Sequence, residues 1–400
     1  MTNELLNAEK LPLSRKGLPV YWSKRLHCWV VTGYEEISAC LDNSRDLASN
    51  FYPWHLRALP ADKRKDFQEL NNLPAHVLTE QDGVYHDHIK AFITKEFNLR
   101  VKSFGKDLGG YFDEQLNVLG ESFDFVEDFA NPVSEKIMCD VIGFDSKIQH
   151  EIIEAATDLL IFLAFDATAP QAELVRRAAR AKRSLAYLET LLEDEILCRL
   201  NAPRDDFISC LLHKERNFGD IGLSYQEIAY QILTLMIAGF ITTENFLSLA
   251  AYRLLEDNRY RDLVGEPKQV SHYVNALLRI ETPSTFVMRY ARNPISVGKH
   301  RVQRGQFVLL HLYSANHDKL VFDSQCPFSK SSKNGNSLTF GRGDHICTGM
   351  TLARLVANSC FSFLAEKLPG LQLSGAPVIL LDEFPVIRGV RQLPVISVSG

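Results

Sequence analysis

Of the eight cysteines in the 400-residue chain, Cys347 alone has neighbours that suit chemistry. It lies in the segment FGRGDHICTG, Phe340 to Gly349, which runs directly into the helical pattern MTLARLVANSCFSFLAEKL. Gly341, Gly343 and Gly349 surround it, so the backbone there passes close to something flat or bulky in conformations that a side chain would forbid. A cysteine just ahead of a helix faces aligned N–H groups and the positive end of the helix dipole, both of which favour thiolate over thiol. Thiolate is the form in which cysteine ligates a metal. His345, two residues upstream, can aim a donor at a nearby anion. A second place is Ala238 to Thr243, AGFITT, inside a long apolar run; a helix-interior glycine such as Gly239 costs up to about 1 kcal/mol against alanine and needs a packing or functional reason. The third is His86 with Lys90, four apart and so on one face of a helix.

These residues need elements to hold them. Leu18 to Trp22 and Cys28 to Thr32 are short apolar runs that predict a small β region, and Tyr34 to Leu41 predicts a helix. Asn43 to Asp82 has no sustained period and predicts a long loop with short helical pieces, a length that tends to be functional. From Tyr85 to about Leu368 helical periodicity dominates, broken by a β-like stretch between Ile295 and Leu312. The clearest helix opens at Ser224, with Glu227 completing a capping box, and runs to about Glu256. At about 1.5 Å per residue it spans about 48 Å, enough to cross a domain, and its apolar faces predict burial on nearly every side. With no repeat, low-complexity tract or linker, residues 1–400 read as one domain, mainly α with small β regions.

Composition narrows the function. The formal net charge is −5 and the basic residues are scattered, which excludes a clustered nucleic-acid footprint. The N-terminus, MTNELLNAEKLPLSRKGLP, has no signal-like apolar region, and no later run reads as long and uncharged enough to span a bilayer; the expectation is a cytoplasmic protein with no membrane role. The cysteines never form CxxC, which argues against a zinc ribbon or a disulfide framework and makes most of them small core hydrophobes. His345 and Cys347 have no further ligands at zinc spacing.

The pattern Phe-Gly-x-Gly-x-His-x-Cys-x-Gly, followed by Leu352, Ala353 and Arg354, resembles the haem-binding signature of the cytochrome P-450 family. The resemblance extends to Ala238–Thr243, similar to the family's distal-helix segment, and to His86 with Lys90, similar to its His-x-x-x-Arg pair with lysine for arginine. Smaller agreements (CWVVTGYEEI, SANHD, IRGVRQLPV) carry it from residue 18 to the C-terminus. It implies the P-450 fold, with haem b (iron protoporphyrin IX) between the Ser224 helix and the helix after Cys347. Cys347 is then the iron ligand, and thiolate ligation pushes electron density onto iron and favours O–O cleavage. Phe340 packs beside the sulfur; His345, His86, Lys90 and Arg289 meet the propionates; Gly341, Gly349 and Ala238 allow close approach. Gly239, Thr242 and Thr243 form the catalytic segment, with Thr242 as the oxygen-binding alcohol. Substrate contacts fall to Phe240, Ile241, Thr285, Phe286, Val386 and Ile387, with the loop Phe51 to Leu78 and the helix around Leu159 to Phe165.

Two departures stand out. Ile241 occupies the place of the distal acid, so proton supply must come from water ordered by Thr242 and Thr243, from the substrate, or from Glu244. The family's Glu-x-x-Arg pair reads Ala276-Leu-Leu-Arg279, and its meander arginine aligns with Pro327; Arg279 is left to backbone carbonyls, or Lys330 substitutes in the meander. The implied activity is dioxygen-dependent oxidation of a small molecule, free or tethered to a carrier protein, in specialised biosynthesis. Electrons would come from a soluble ferredoxin or flavodoxin docking near Lys95, Arg100, Lys102 and Arg342. The alternatives are non-hydroxylating haem-thiolate chemistry (coupling, desaturation, dehydration, peroxide-driven turnover) and a catalytically silent haem-binding sensor.

Overall fold

The computed structural model describes residues 18–24, 26–50, 56–164, 169–214, 222–322, 326–329, 334–374, 379–380 and 387–398. Helices dominate, and the small β region near the N-terminus joins strands from the later part of the chain. Val20–Ser23 pairs antiparallel with Cys28–Val31, which pairs parallel with Phe307–Leu310; that strand pairs antiparallel with Val287–Ala291, and Leu47–Ala48 closes the edge. The β-like stretch read from Ile295 to Leu312 contains Ile295–Val297, His300–Val302 and Phe307–Leu310, while Val287–Ala291 lies ahead of it. Residues 43–82 carry one two-residue strand and the short helical pieces Arg64–Asn71, Asn72–His76 and Leu78–Glu80.

The organising helix is Tyr225–Glu256. Ser224 caps it: its hydroxyl accepts from the Glu227 N–H at 3.2 Å, while the Glu227 carboxylate accepts from the Ser224 N–H at 2.8 Å. The helices Asn131–Ile142, Gln149–Leu163 and Gln171–Asn201 pack against it, and together they form one continuous apolar core. By length and composition this helix could cross a membrane, contrary to the reading that no run is long and apolar enough; 72% of its most apolar window is buried inside the protein, so neighbouring helices already take up that surface. Smaller apolar clusters lie on the five-stranded sheet, one around Val31, Val308 and Leu310 and another around Cys28, Phe286 and Met288. Cys28, Cys40, Cys139 and Cys360 are buried, as core thiols should be.

One acid sits inside this helical core. Glu244 is buried, and burial, with the charge of Glu135 added, pushes its carboxyl up from 4.5 to about 7. Glu135, on Asn131–Ile142, is raised by burial too, with His150 opposing. Between 4.5 and about 7 the folded state therefore binds more protons than the unfolded chain, and stability falls as pH rises through that window. Glu244→Gln is expected to flatten this slope and to be more stable than the parent at about pH 8, but not at about pH 4, in urea titrations of both proteins at the two values.

Candidate active site

The cysteine loop is shaped by its backbone. Gly341 and Gly343 both have φ of +68°, and a Cβ on Gly343 would sit 2.7 Å from the carbonyl oxygen of Leu41, so only glycine fits there. The Cys347 N–H donates to the Phe340 carbonyl at 2.8 Å, closing the loop, and the helix Met350–Lys367 follows. Protein packs densely round Cys347 and yet its side chain stays open, so the sulfur faces a space within the molecule. Burial raises its thiol, against the N–H groups of Gly349 and Met350 and the charge of Lys90, which favour thiolate. A thiol so placed ionises fully only beside a bound cation, as a metal ligand does. Among the described residues no three His, Cys, Asp or Glu converge as a metal cage. Phe340 packs against the main core under the guanidinium of Arg354, 5.4 Å from its ring centre.

Beside the loop the structure gathers a basic cluster from three distant parts of the chain. The His86 and His345 rings stack with centres 4.4 Å apart. His86 is buried; its Nδ1 meets Asp87 at 2.9 Å and its Nε2 has no hydrogen-bond partner. Holding a carboxylate at Nε2 requires protons on both ring nitrogens. Lys90 donates to the Asp344 carbonyl, and burial pushes its amine down to about 8 against the opposing pull of Cys347, Asp344 and Asp87. Arg289, on Val287–Ala291, is buried too; burial lowers its pKa while Asp82, Glu80 and Cys40 oppose, and its Nη1 donates to the carbonyl of Met288 at 2.8 Å. An orphaned imidazole nitrogen and buried cations around an open sulfur fit a large ligand that carries carboxylates.

Asp82 was missed in the sequence. Its carboxylate accepts from His345 Nε2 at 3.0 Å, from the N–H groups of Ser49 and Asn50 at 3.1 Å each, and from Arg292 at 2.7 Å. Burial works to raise its pKa, but those hydrogen bonds win and hold it below the usual carboxylate range. An acid beside Gly83, four residues ahead of His86, was the available signal. Arg292, exposed at the surface, is paired with it.

Along Tyr225–Glu256, Ala238 is exposed and Gly239 and Thr242 half-buried, where nearly every neighbour is buried. The Thr242 hydroxyl donates to the Ala238 carbonyl at 2.8 Å and that of Thr243 to the Gly239 carbonyl at 2.7 Å. A Cβ on Gly239 would lie 2.5 Å from the terminal methyl of Met138, the flexible end of a side chain on a neighbouring helix. Glu244, two residues past Thr242, is turned roughly 200° round the helix from it, toward Glu135 and away from the open face.

Several substrate assignments change. Phe240 and Ile241 are buried in the main core; Phe240 lies roughly 200° round the helix from Ala238 and so faces away from the opening. Phe286 packs with Cys28, Val30, Met288 and Leu309 on the sheet and belongs to its core. Thr285 is buried, its carbonyl accepting from Tyr313 N–H at 3.1 Å, and Ile387 bridges to Ser284. Val386 lies outside the described residues, as do residues 51–55 and Phe165 of the two expected substrate segments. The rest of those segments meet: Ala58 and Leu59 line a small cavity with Ile161, Phe162, Ala164, Leu174 and Arg177. Of the proposed redox surface, Lys95 pairs with Glu96 at 4.0 Å, Arg100 with Asp205 and Arg342 with Asp42.

The comparisons agree with this geometry. A family model described as Cytochrome P-450 matches residues 270–364, which include the whole cysteine loop. The putative cytochrome P-450 YjiB of Bacillus subtilis is 28% identical over 388 residues, covering 95% of this chain and 91% of its own. The 6-deoxyerythronolide B hydroxylase of Saccharopolyspora erythraea is 27% identical, covering 92% and 89%. The crystal structure of P450BioI in complex with an acyl carrier protein ligated by hexadec-9Z-enoic acid superposes with a TM-score of 0.83 at 26% identity, over 96% of both chains. The family-model match, the relatives and the superposed structure all support a bacterial-type cytochrome P-450. The P-450 fold accounts for the mostly helical architecture with small sheets, and the same similarities support an oxidoreductase of the monooxygenase kind, a family whose centre is a haem-thiolate iron.

Asp82 gives a test of the cluster. Asp82→Asn keeps the shape and removes the charge, leaving His345 and Arg292 without a carboxylate; a loss of about 1–3 kcal/mol is expected in denaturant unfolding of the apoprotein, with weaker haem retention on gel filtration. Unchanged stability would mean that the four bonds to Asp82 contribute little.

Proposed function

We propose that this cytochrome P-450 binds haem b and oxidises a small organic molecule of specialised biosynthesis with dioxygen, the whole chain acting as one domain in the cytoplasm. The observation that carries the reading is the open Cys347 side chain beside two backbone N–H groups, with half-buried Lys90 and buried Arg289 in the adjoining cluster. When bound, haem supplies dioxygen activation and two-electron oxidation; the protein supplies ligation, orientation and protons. Cys347 is the iron ligand. His86, His345, Lys90 and Arg289 hold the propionates; because the Nε2–H of His345 donates to Asp82, this ring reaches a propionate as donor only with a proton on Nδ1 as well. Gly341 and Gly349 let the loop lie against the porphyrin, and Ala238 keeps the distal face clear.

Thr242 is the group that handles protons. Its own proton is committed to the Ala238 carbonyl, which leaves the oxygen lone pairs to accept from a water or a substrate hydroxyl. With Ile241 in place of an acid and Glu244 turned away, the proton arrives with the substrate or its waters. Thr285 and Ile387 bound the substrate side. The hydroxylase among the relatives and the carrier-protein complex of the structural neighbour support a biosynthetic small molecule, free or carrier-tethered, as the class to try first. A ferredoxin or flavodoxin fits the electron requirement, docking over Lys95 and Lys102.

Ile241 also favours a second reading, in which the bound molecule is coupled, desaturated or dehydrated, or peroxide drives turnover. The test begins with the reduced, carbon-monoxide-treated holoprotein: the red-shifted band of thiolate ligation is expected, and Cys347→Ser abolishes it. Oxygen uptake is then followed with a ferredoxin system and, separately, turnover with peroxide, on hexadec-9Z-enoic acid free and carrier-bound and on macrolactones. Oxygen consumption with hydroxylated product supports the first reading and product with peroxide alone the second. A protein that shows the band and turns over nothing is a haem-binding sensor.

A further inference from the structure

Arg279 is a buried cation in a chain that lacks the acid its family sets beside it. It is 4% exposed, at the end of the helix Val270–Ile280. Among the described residues it forms no ion pair; its Nε donates to the side-chain oxygen of Asn334 at 2.7 Å, its Nη1 to the backbone carbonyl of Asn316 at 2.7 Å, and its guanidinium carbon lies 4.6 Å from the ring centre of Phe322. Its charge is thus met by neutral acceptors and a ring face. Lys330 lies outside the described residues.

The two asparagines carry the contact onward. Asn334 is buried and donates from its amide to the Pro327 carbonyl at 2.7 Å. Asn316 is fully buried; its side-chain oxygen accepts from the Leu338 N–H at 2.6 Å, and its amide nitrogen donates to the hydroxyls of Thr282 at 2.7 Å and Thr339 at 2.9 Å. The Thr339 hydroxyl in turn donates to the Leu278 carbonyl at 2.6 Å. Leu338 and Thr339 are the two residues ahead of Phe340, whose carbonyl holds the Cys347 N–H. Hydrogen bonds and two peptide links therefore join Arg279 to the cysteine through Asn316, whose backbone carbonyl takes the Arg279 bond, while Asn334 ties Arg279 to the same stretch of chain ahead of Phe340.

We propose that Asn334 and Asn316 are positioning residues for the cysteine loop, a neutral amide pair that anchors it to Arg279 where the family uses an acid and a second arginine. An amide suits this because it accepts from a guanidinium on one side and donates on the other, while adding no second buried charge that would need its own partner. The inference rests on Cys347 being the thiolate ligand.

The test is the lifetime of the red-shifted carbon-monoxide band in reduced holoenzyme, held below its melting temperature, for the parent, Asn334→Leu, Asn334→Asp and the surface control Asn201→Ala. Leucine cannot accept from Arg279, and its band is expected to decay to the unshifted form about tenfold faster, in line with a lost bond to a charged group. Aspartate keeps the acceptor, adds a charge opposite Arg279 and turns an oxygen toward the Pro327 carbonyl, so its band should outlast that of the leucine variant; the control should match the parent. If Asn334→Leu yields no holoenzyme, Asn334→Ser, too short to reach Arg279, takes its place in the same comparison. The proposal is overturned if the leucine or serine variant melts lower but keeps the parent's band lifetime, which is a purely structural effect, or if aspartate decays as fast as they do. A parent protein without the band overturns the assignment of Cys347, and this inference with it.

Discussion

A sulfur anion in a protein interior is the constraint on which this structure turns. Burial alone keeps Cys347 a neutral thiol, and two backbone N–H groups with Lys90 lean the other way without prevailing. Only a cation at the sulfur completes the balance. The glycines of the loop, the closing bond from Cys347 to Phe340 and the start of the following helix all present that one atom at a fixed position to an internal space. The basic cluster beside it follows from the same need: a porphyrin brings two carboxylates, and the protein must already hold cations and imidazoles where they arrive.

That readiness has a structural price, met by Asp82. Lys90 and Arg289 lie close to the His86 and His345 rings, and one buried carboxylate, gripped by the N–H groups of Ser49 and Asn50, lies among them. It ties the loop before Val84–Phe104 to the cysteine loop and, through Arg292, to the end of the Arg289 strand. The sheet that carries Arg289 and the helix that carries His86 are thereby referenced to the same point. At Arg279 the same problem has another answer: a lone cation is satisfied by neutral oxygens and so needs no acid.

What could be read without coordinates was local. The Ser224 capping box, the Tyr34–Leu41 helix, the glycine spacing round Cys347 and the strands at Val20 and Cys28 are each written in a few adjacent residues, and the structure has them. The misreadings involve distance or rotation. Asp82 looks ordinary until His345, 263 positions away, comes beside it. Asn334 and Asn316 acquire meaning only when they meet Arg279. Phe240 and Ile241 were placed at the substrate by motif position, whereas helix phase sends Phe240 to the core and leaves Ala238 and Thr242 open. Phe286 sits one residue ahead of Val287–Ala291, a strand hidden by its polar residues and defined by pairing with Phe307–Leu310. The length and burial of Tyr225–Glu256 were legible, although its apolar run was not counted as long enough to span a bilayer; Glu244 within it is buried and its carboxyl is pushed up to about 7.

The central claim concerns a single bond, and X-ray absorption at the iron edge of the haem-loaded ferric protein measures it without reference to substrate, partner or turnover. One sulfur neighbour in the first shell of the iron is the predicted result, with that neighbour replaced by nitrogen or oxygen in the serine variant at position 347. A first shell of nitrogen and oxygen alone in the parent protein, or a sulfur that persists after the substitution, would contradict the account.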